Sequence, residues 1–299
     1  MKNEYVINIV GDDNWYQHDG PAGPRAQMRE PNGFSVVYNQ KKDNVITYFI
    51  NDGIRQTKEF ESKIKVALLT ENRKILDYVP HTPAGQRYSF LEKNHDLFDY
   101  VAIYDGELMG KIQSEKCKPT PYGGAFIWPK ERQQIYKKTH LCSYITSLKM
   151  MTDFQRFRVK LLQTLKNQNS WNIDLFGHGH NPLPESRLGK YLGVAPYCYS
   201  IAIENCQTGH YFSEKIMDCF LTGTIPIYLG TLNIGEYFDT NGILVFNNEE
   251  ELFSILNNLT FEEYYEKMAY IKHNYHLAKQ YIDSIGYSFH KYFKHLYFS

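Results

Sequence analysis

Short apolar runs alternate with helical stretches along this chain. In the first half, residues 6–10, 35–38, 66–70 and 100–104 predict strands, because a short unbroken apolar run is the signature of a strand covered on both faces. The second half is more regular. Residues 140–146 predict a strand and 154–168 a helix, with Phe157, Leu161, Leu162 and Leu165 at helical spacing. Residues 171–176 predict a strand ending at Gly177-His178-Gly179-His180. Strands follow at 198–203, 225–229 and 243–246, and helices at 213–222, 249–259 and 261–283. Such alternation predicts an α/β protein with parallel sheets. The second half reads as a Rossmann-like domain, which takes its ligand where strand C-termini meet helix N-termini.

Breakers divide the chain. Lys118-Pro119-Thr120-Pro121-Tyr122-Gly123-Gly124 and Trp128-Pro129-Lys130 interrupt any regular element and predict a crossover between two domains. The predicted division is a domain at 1–135, a second at 136–285 and a tail at 286–299. The tail mixes aromatic and basic residues. That mixture fits a peripheral membrane contact, but a final helix packing back on the first domain is the plainer expectation.

Composition narrows the function. The 299 residues suit two α/β domains. Lys and Arg (33) balance Asp and Glu (33), so the basic excess of a nucleic-acid protein is missing. Aromatic residues make up 15%, which suits sugar or base stacking but more simply reflects tyrosine-rich packing. Five cysteines form no CxxC pair, so free thiols in a reducing compartment are expected and structural zinc is not. With no signal-peptide run and no membrane-length apolar stretch, a cytoplasmic protein is expected, at most peripheral to the inner face of a membrane. A nicotinamide-dependent dehydrogenase would need GxGxxG after an early strand, and the chain has none.

The most informative stretch is Ile203-Glu204-Asn205-Cys206-Gln207-Thr208-Gly209-His210-Tyr211-Phe212-Ser213-Glu214-Lys215-Ile216. A buried strand ends in polar residues, and a short loop leads to Ser213, a good N-cap. Glu214 and Lys215 fall on the first helical turn, where free N–H groups and the helix dipole favour a phosphate. Lys215 adds a full charge, while a carboxylate beside it is better used to accept hydrogen bonds from ribose hydroxyls. Phosphate and ribose side by side describe a nucleotide. A capped surface helix with a solvated Glu-Lys pair fits the spacing equally well.

This block, continued by Gly223-Thr224-Ile225-Pro226-Ile227-Tyr228-Leu229-Gly230, closely resembles the donor motif of family 10 glycosyltransferases, the α1,3/α1,4-fucosyltransferases. That motif runs Phe-Glu-Asn-Ser/Thr, a loop with Tyr, Thr-Glu-Lys, then Gly-x-x-Pro-x-x-x-Gly. The resemblance implies that Glu214 contacts the ribose, that Lys215 binds the diphosphate, and that Asn205 and Tyr211 lie near the phosphates. Upstream, 143–147 followed by 158–165 is similar to a strand and helix whose arginine reaches the diphosphate, and Arg158 fits the spacing better than Arg156. Val66-Ala67-Leu68-Leu69-Thr70-Glu71-Asn72 and 97–103 look like the first-domain signature of bacterial members. The likeness covers roughly 65 to 250 and is strongest at 197–230. Thr70 stands in place of Gly, Cys206 of Ser or Thr, and Ser213 of Thr, and none of these removes a charge.

The resemblance implies an α/β fold of two Rossmann-like domains facing a cleft (GT-B type). It implies an inverting, metal-independent glycosyltransferase moving L-fucose from GDP-fucose onto a hydroxyl of a glycan acceptor, such as a lipid-linked glycan or lipopolysaccharide. The alternatives are another nucleotide sugar on the same scaffold, or a non-catalytic nucleotide-sugar or glycan-binding module. Spacing alone makes Glu71 an ordinary strand-end carboxylate, and the resemblance makes it the catalytic base. Arg158 and Lys215 would stabilise the departing diphosphate, the work a metal performs elsewhere. Segments 20–30 and 80–86, expected to face the acceptor, match nothing recognisable. Asp12-Asp13 and Asp105-Gly106-Glu107 resemble metal-holding acidic pairs and His178-Gly179-His180 a metal loop, but such short patterns arise by chance. No metal is expected.

Overall fold

A computed structural model describes residues 5–11, 33–70, 73, 86–128, 130–168, 170–184 and 188–298. The chain forms two units, Met1–Tyr122 with Asp283–Ser299, and Gly123–Ile282. It passes from the first to the second earlier than the 135/136 boundary read from the breakers. Residues 123–136 run with the second unit: the Gly123 amide donates to the Phe212 carbonyl at 2.9 Å and the Tyr136 amide to that of Thr222 at 3.2 Å.

Among the described residues the first unit holds a six-stranded sheet: β1 (Tyr5–Val10), β2 (Phe34–Tyr38), β3 (Asn44–Ile50), β4 (Ser62–Leu68), β5 (Tyr100–Ile103) and β6 (Cys117–Pro119), in the order β2-β1-β3-β4-β5-β6. Every pairing is parallel. Strand β3, central in this sheet, is absent from the strands predicted above. It follows β2 after the polar connection 39–43, where Asn39 (φ 53°) and Asp43 (φ 60°) are left-handed; β2 and β3 flank β1 in parallel, and the helix expected to connect two parallel strands of one sheet is missing there.

Both faces of this sheet are buried. Val10, Phe49, Ala67 and Val101 meet Leu91 of helix α1 (Arg87–Asn94) and Leu108 of α2 (Gly106–Ile112) on one face. Ile7, Tyr48, Val66 and Ala102 pack on the other against Ile285, Phe289, Phe293 and Tyr297. Alternate residues of one strand thus serve opposite cores, which is why the apolar runs are unbroken. The tail lies in the second of these cores: Tyr48 Oη and Ser288 Oγ are hydrogen-bonded at 2.9 Å, and Tyr297 Oη accepts from the Val6 amide at 2.9 Å.

The second unit has β7 (His140–Ile145), β8 (Ile173–Phe176), β9 (Tyr197–Ile203), β10 (Ile225–Leu229) and β11 (Leu244–Val245), all parallel, in the order β11-β10-β9-β7-β8. Helices α3 (Asp153–Gln168), α4 (Glu214–Thr222) and α5 (Glu249–Asn258) connect or follow them. Leu161, Leu162 and Leu165 of α3 enter the core with Ile201, Ile227 and Phe246. The single helix expected over 261–283 is instead α6 (Phe261–Glu266), α7 (Met268–Ala278) and a 3-10 turn at Lys279–Tyr281. Thr260 caps α6 by accepting from the Glu263 amide, and buried Asn274 in α7 exchanges two hydrogen bonds with the backbone of Asp239. Asp283 then caps α8 (Ser284–Ser288).

Candidate functional site

Strand β9 runs buried along its length and ends on Glu204, which is itself fully buried. A carboxylate there must be hydrogen-bonded or it would cost several kcal/mol, of order 2–7 even for a neutral polar group. Glu204 meets the requirement through helix α4. One carboxylate oxygen accepts from the Ser213 amide at 2.8 Å, the other from Ser213 Oγ at 2.6 Å. Lys215 Nζ stands 3.4 Å from the same carboxylate. The loop 205–212 is thereby closed at its base, and the N-terminus of α4 is fixed at the C-terminal end of the sheet.

Ser213 caps the helix as its type predicts, accepting from the Lys215 amide. Lys215 Nζ also donates to Ser213 Oγ at 3.0 Å and lies 3.3 Å from Glu214. At the other end Gly223 takes a left-handed conformation, φ +69°, and closes the helix. Gly230, the last glycine of the motif, is required by crowding: a Cβ there would lie 2.1 Å from Tyr228 Oη and 2.7 Å from Glu204 Cγ.

Arg158 is buried, not a solvent-facing helix residue. Its guanidinium donates to the Ile203 carbonyl at 3.2 Å, one residue before Glu204. Its Nε is buried with no hydrogen-bond partner among the described residues. Arg156 instead turns back to Asp153 and the Met150 carbonyl. The Asn205 carbonyl accepts from Thr152 Oγ1 at 2.8 Å, and Thr152 in turn caps α3 through the Gln155 amide. Tyr211 is enclosed, at 2% exposure. Asn205, Tyr211, Glu214, Lys215 and Arg158 are thus gathered around the C-terminal end of β9. Glu71 lies outside the described residues, as do Asp12, Asp13 and segments 20–30 and 80–85. Its described neighbour Thr70 is held by Asn51, whose amide donates to Thr70 Oγ1 at 2.7 Å and accepts from the Thr70 amide at 3.0 Å.

Charges alternate around α4. Asp218, fully buried, accepts from the Phe126 and Ile127 amides at 2.7 and 3.2 Å and pairs with Lys190 at 2.6 Å. Burial would push the Glu214 carboxyl up, but Lys215 and Lys190 outweigh it and hold the group at about 2. Burial would likewise lower Lys190, and Asp218 with Glu214 keeps it above the ordinary lysine value. His210, left-handed at φ 61°, anchors the loop to the one after β10: its amide donates to Asn233 Oδ1 at 2.9 Å and its Nδ1 meets Tyr237 Oη at 2.5 Å.

The motif reading missed Glu204 as a clamp, Lys190 and Asp218. A signal existed for Asp218: it is the charge set among Ile216, Met217, Cys219, Phe220 and Leu221, and a carboxylate on an apolar helix needs a partner. Of the acidic residues weighed as metal ligands, the described Asp105 and Glu107 have other partners. Asp105 caps α2 through the Leu108 amide at 2.8 Å and pairs with Arg73 at 3.2 Å, and Glu107 faces Arg73 and Lys111. His180 Nε2 bonds the Thr146 carbonyl at 3.0 Å.

The family model described as "Glycosyltransferase family 10 (fucosyltransferase) C-term" matches residues 135–288. An alpha-(1,3)-fucosyltransferase 4 of Rattus norvegicus is 25% identical over 182 residues, 53% of this chain and 38% of that protein. A putative fucosyltransferase-like protein of Arabidopsis thaliana is 29% identical over 83 residues, 28% of this chain and 16% of that one. The matched stretches therefore span well under half the length of these relatives. A crystal structure of an α1,3-fucosyltransferase with GDP superposes with a TM-score of 0.55 at 17% identity, over 91% of this chain and 82% of that one. Anabaena HepE in complex with UDP-glucose superposes at 0.51 and 12% identity, over 94% and 96%. The shared fold is that of GT-B glycosyltransferases, two α/β units each built on a parallel sheet.

Proposed function

Because the chain belongs to glycosyltransferase family 10, the fucosyltransferases, we propose that it transfers L-fucose from GDP-fucose, with inversion, onto a hydroxyl of a glycan acceptor. The observation that carries this reading is the convergence at the C-terminal end of β9: a Ser213-capped helix terminus, Lys215, buried Arg158 and ionised Glu214. Arg158 and Lys215 receive the diphosphate and offset the charge that grows on it as the glycosidic bond breaks. Glu214 accepts hydrogen bonds from the ribose hydroxyls, and Asn205 and Tyr211 shape the phosphate end of the site. Glu71 takes the proton from the acceptor hydroxyl, and the transition state is oxocarbenium-like. Arg158 and Lys215 do the work that a metal performs in other transferases, and activity is expected to persist in excess chelator. The acceptor is a glycan.

A second donor reading, a UDP-sugar, is favoured by the likeness to a fold neighbour solved with UDP-glucose. Thermal shift with GDP, GDP-fucose, UDP and UDP-glucose separates the two, since a bound ligand stabilises the fold by mass action. Selective stabilisation by GDP and GDP-fucose is expected, and abolished or strongly reduced in Lys215→Ala and Arg158→Ala. Stabilisation by the uridine compounds alone overturns the fucose assignment.

A further inference from the structure

We infer that Lys190 is a positioning residue of the donor site: clamped by Asp218, it is the second ammonium flanking Glu214 and fixes that carboxylate to receive a vicinal diol, leaving Lys215 to the diphosphate. The inference rests on the reading of Glu214 as the ribose partner.

The geometry begins with helix α4. Glu214 and Asp218 are four residues apart and so share one face, one turn from each other. Asp218 is fixed there by the amides of Phe126 and Ile127, and Lys190 approaches from the 3-10 turn Leu188–Gly193 to 2.6 Å of it. The lysine nitrogen also lies 5.2 Å from the centroid of the Phe126 ring. The Lys190 side chain is 16% exposed and Asp218 wholly enclosed, so Lys190 is held on the Glu214 face of the helix. On the other side of Glu214 stands Lys215, at 3.3 Å, itself shared with Glu204 at 3.4 Å. Contacts link Glu204, Lys215 and Glu214 on one side and Lys190 with Asp218 on the other, and Lys190 acts on Glu214 through space rather than through an ion pair. Ser213 completes the groups that act on Glu214.

This arrangement divides labour. An ionised carboxylate offers only acceptors, which is what two neighbouring hydroxyls require, whereas a protonated one gives up an acceptor site. With a single lysine nearby, Glu214 and an incoming diphosphate would compete for Lys215. Lys190 removes that competition. Its nitrogen is tethered at 2.6 Å from the wholly enclosed Asp218, and leaving that place would strand a buried charge. Its action on the donor therefore passes through Glu214.

The test is calorimetric titration of GDP into the full chain between pH 5 and 8. The wild-type chain, Lys190→Met, Lys190→Arg and the double variant Lys190→Met/Asp218→Asn are compared, the last removing both buried charges so that folding is preserved. The terminal phosphate of GDP itself titrates at about pH 6, a second phosphate ionisation, so each variant is read as its affinity relative to wild type at the same pH. Relative to wild type, Lys190→Met and the double variant are expected to lose about tenfold more affinity at pH 5 than at pH 8, the value of a lost charge-assisted bond, and Lys190→Arg restores the wild-type profile. A folded double variant with wild-type affinity throughout overturns the role of Lys190 while leaving the donor reading intact. A wild-type chain that binds neither GDP nor UDP overturns the donor reading and this inference with it.

Discussion

Glu214 shows how one residue can be both a ligand group and a stabiliser. Its carboxyl is held at about 2, against an ordinary value of 4.5, because Lys215 and Lys190 outweigh the cost of its burial. A carboxyl depressed on folding contributes stability that is fully present above its unfolded value and is lost as pH falls through the folded one. Glu214→Gln should therefore be less stable than wild type above pH 4.5, with the difference shrinking between pH 4.5 and 2; urea midpoints across that range check it, and a constant difference removes the linkage. What was legible at this scale was local: Ser213 as a cap and Glu214 and Lys215 in the first turn follow from nearest-neighbour chemistry. Lys190 was not, because its partner Asp218 lies far along the sequence and only the fold brings them together.

At the scale of elements, β7, β9 and α4 are joined by a buried ammonium. Lys138 Nζ donates to the Ala195 carbonyl at 2.8 Å, the Thr222 carbonyl at 2.9 Å and Thr224 Oγ1 at 2.8 Å. It ties the last turn of α4 to the entries of β9 and β10, and burial pushes it down to about 7. A lysine depressed on folding carries a penalty that is complete below pH 7 and is relieved as pH rises towards its unfolded value near 10.5. The difference in unfolding free energy between wild type and Lys138→Met should thus change across pH 7 to 10, in favour of wild type. Paired denaturation curves measure it, and parallel pH profiles refute it. The alternation of strands and helices was readable in this unit because each apolar run is bounded by breakers. The start of the 261–283 helical pattern at Phe261 was readable as well; its break at Lys267 and its end at Ala278 were not, since Asn274 and Asp283 act through backbone groups that periodicity ignores. In the first unit β3 escaped notice for a related reason, its five-residue polar approach resembling a turn between edge strands.

For the molecule as a whole, the two crossings at 122/123 and 282/283 matter most. No helix among the described residues is long and apolar enough to cross a membrane. Phe289, Phe293 and Tyr297 of the tail serve the first unit's core while Phe298 stays exposed; Phe289 is fully buried, with ring contacts to Tyr5 and Phe34 at 5.4 and 5.3 Å. Phe289→Ala should cost about 3–5 kcal/mol, visible as a lowered unfolding midpoint of the first unit, while the second unit's transition stays in place. Hydrogen exchange resolved by peptide distinguishes the two, and equal loss in both units counts against separate cores. A tail of Tyr, Phe and Lys is ambiguous as a string of letters because burial and lipid contact demand the same composition. The strands on which Phe289, Phe293 and Tyr297 pack lie far away in sequence, so the string itself does not show that burial.

That partnership also sets an order of events during synthesis. The opening strands leave the ribosome long before residues 284–297, which cover one side of their sheet. The first half must wait with Ile7, Tyr48 and Val66 uncovered while the second half, whose strands and helices are all contiguous, can already fold. The part of the chain made first is the part completed last.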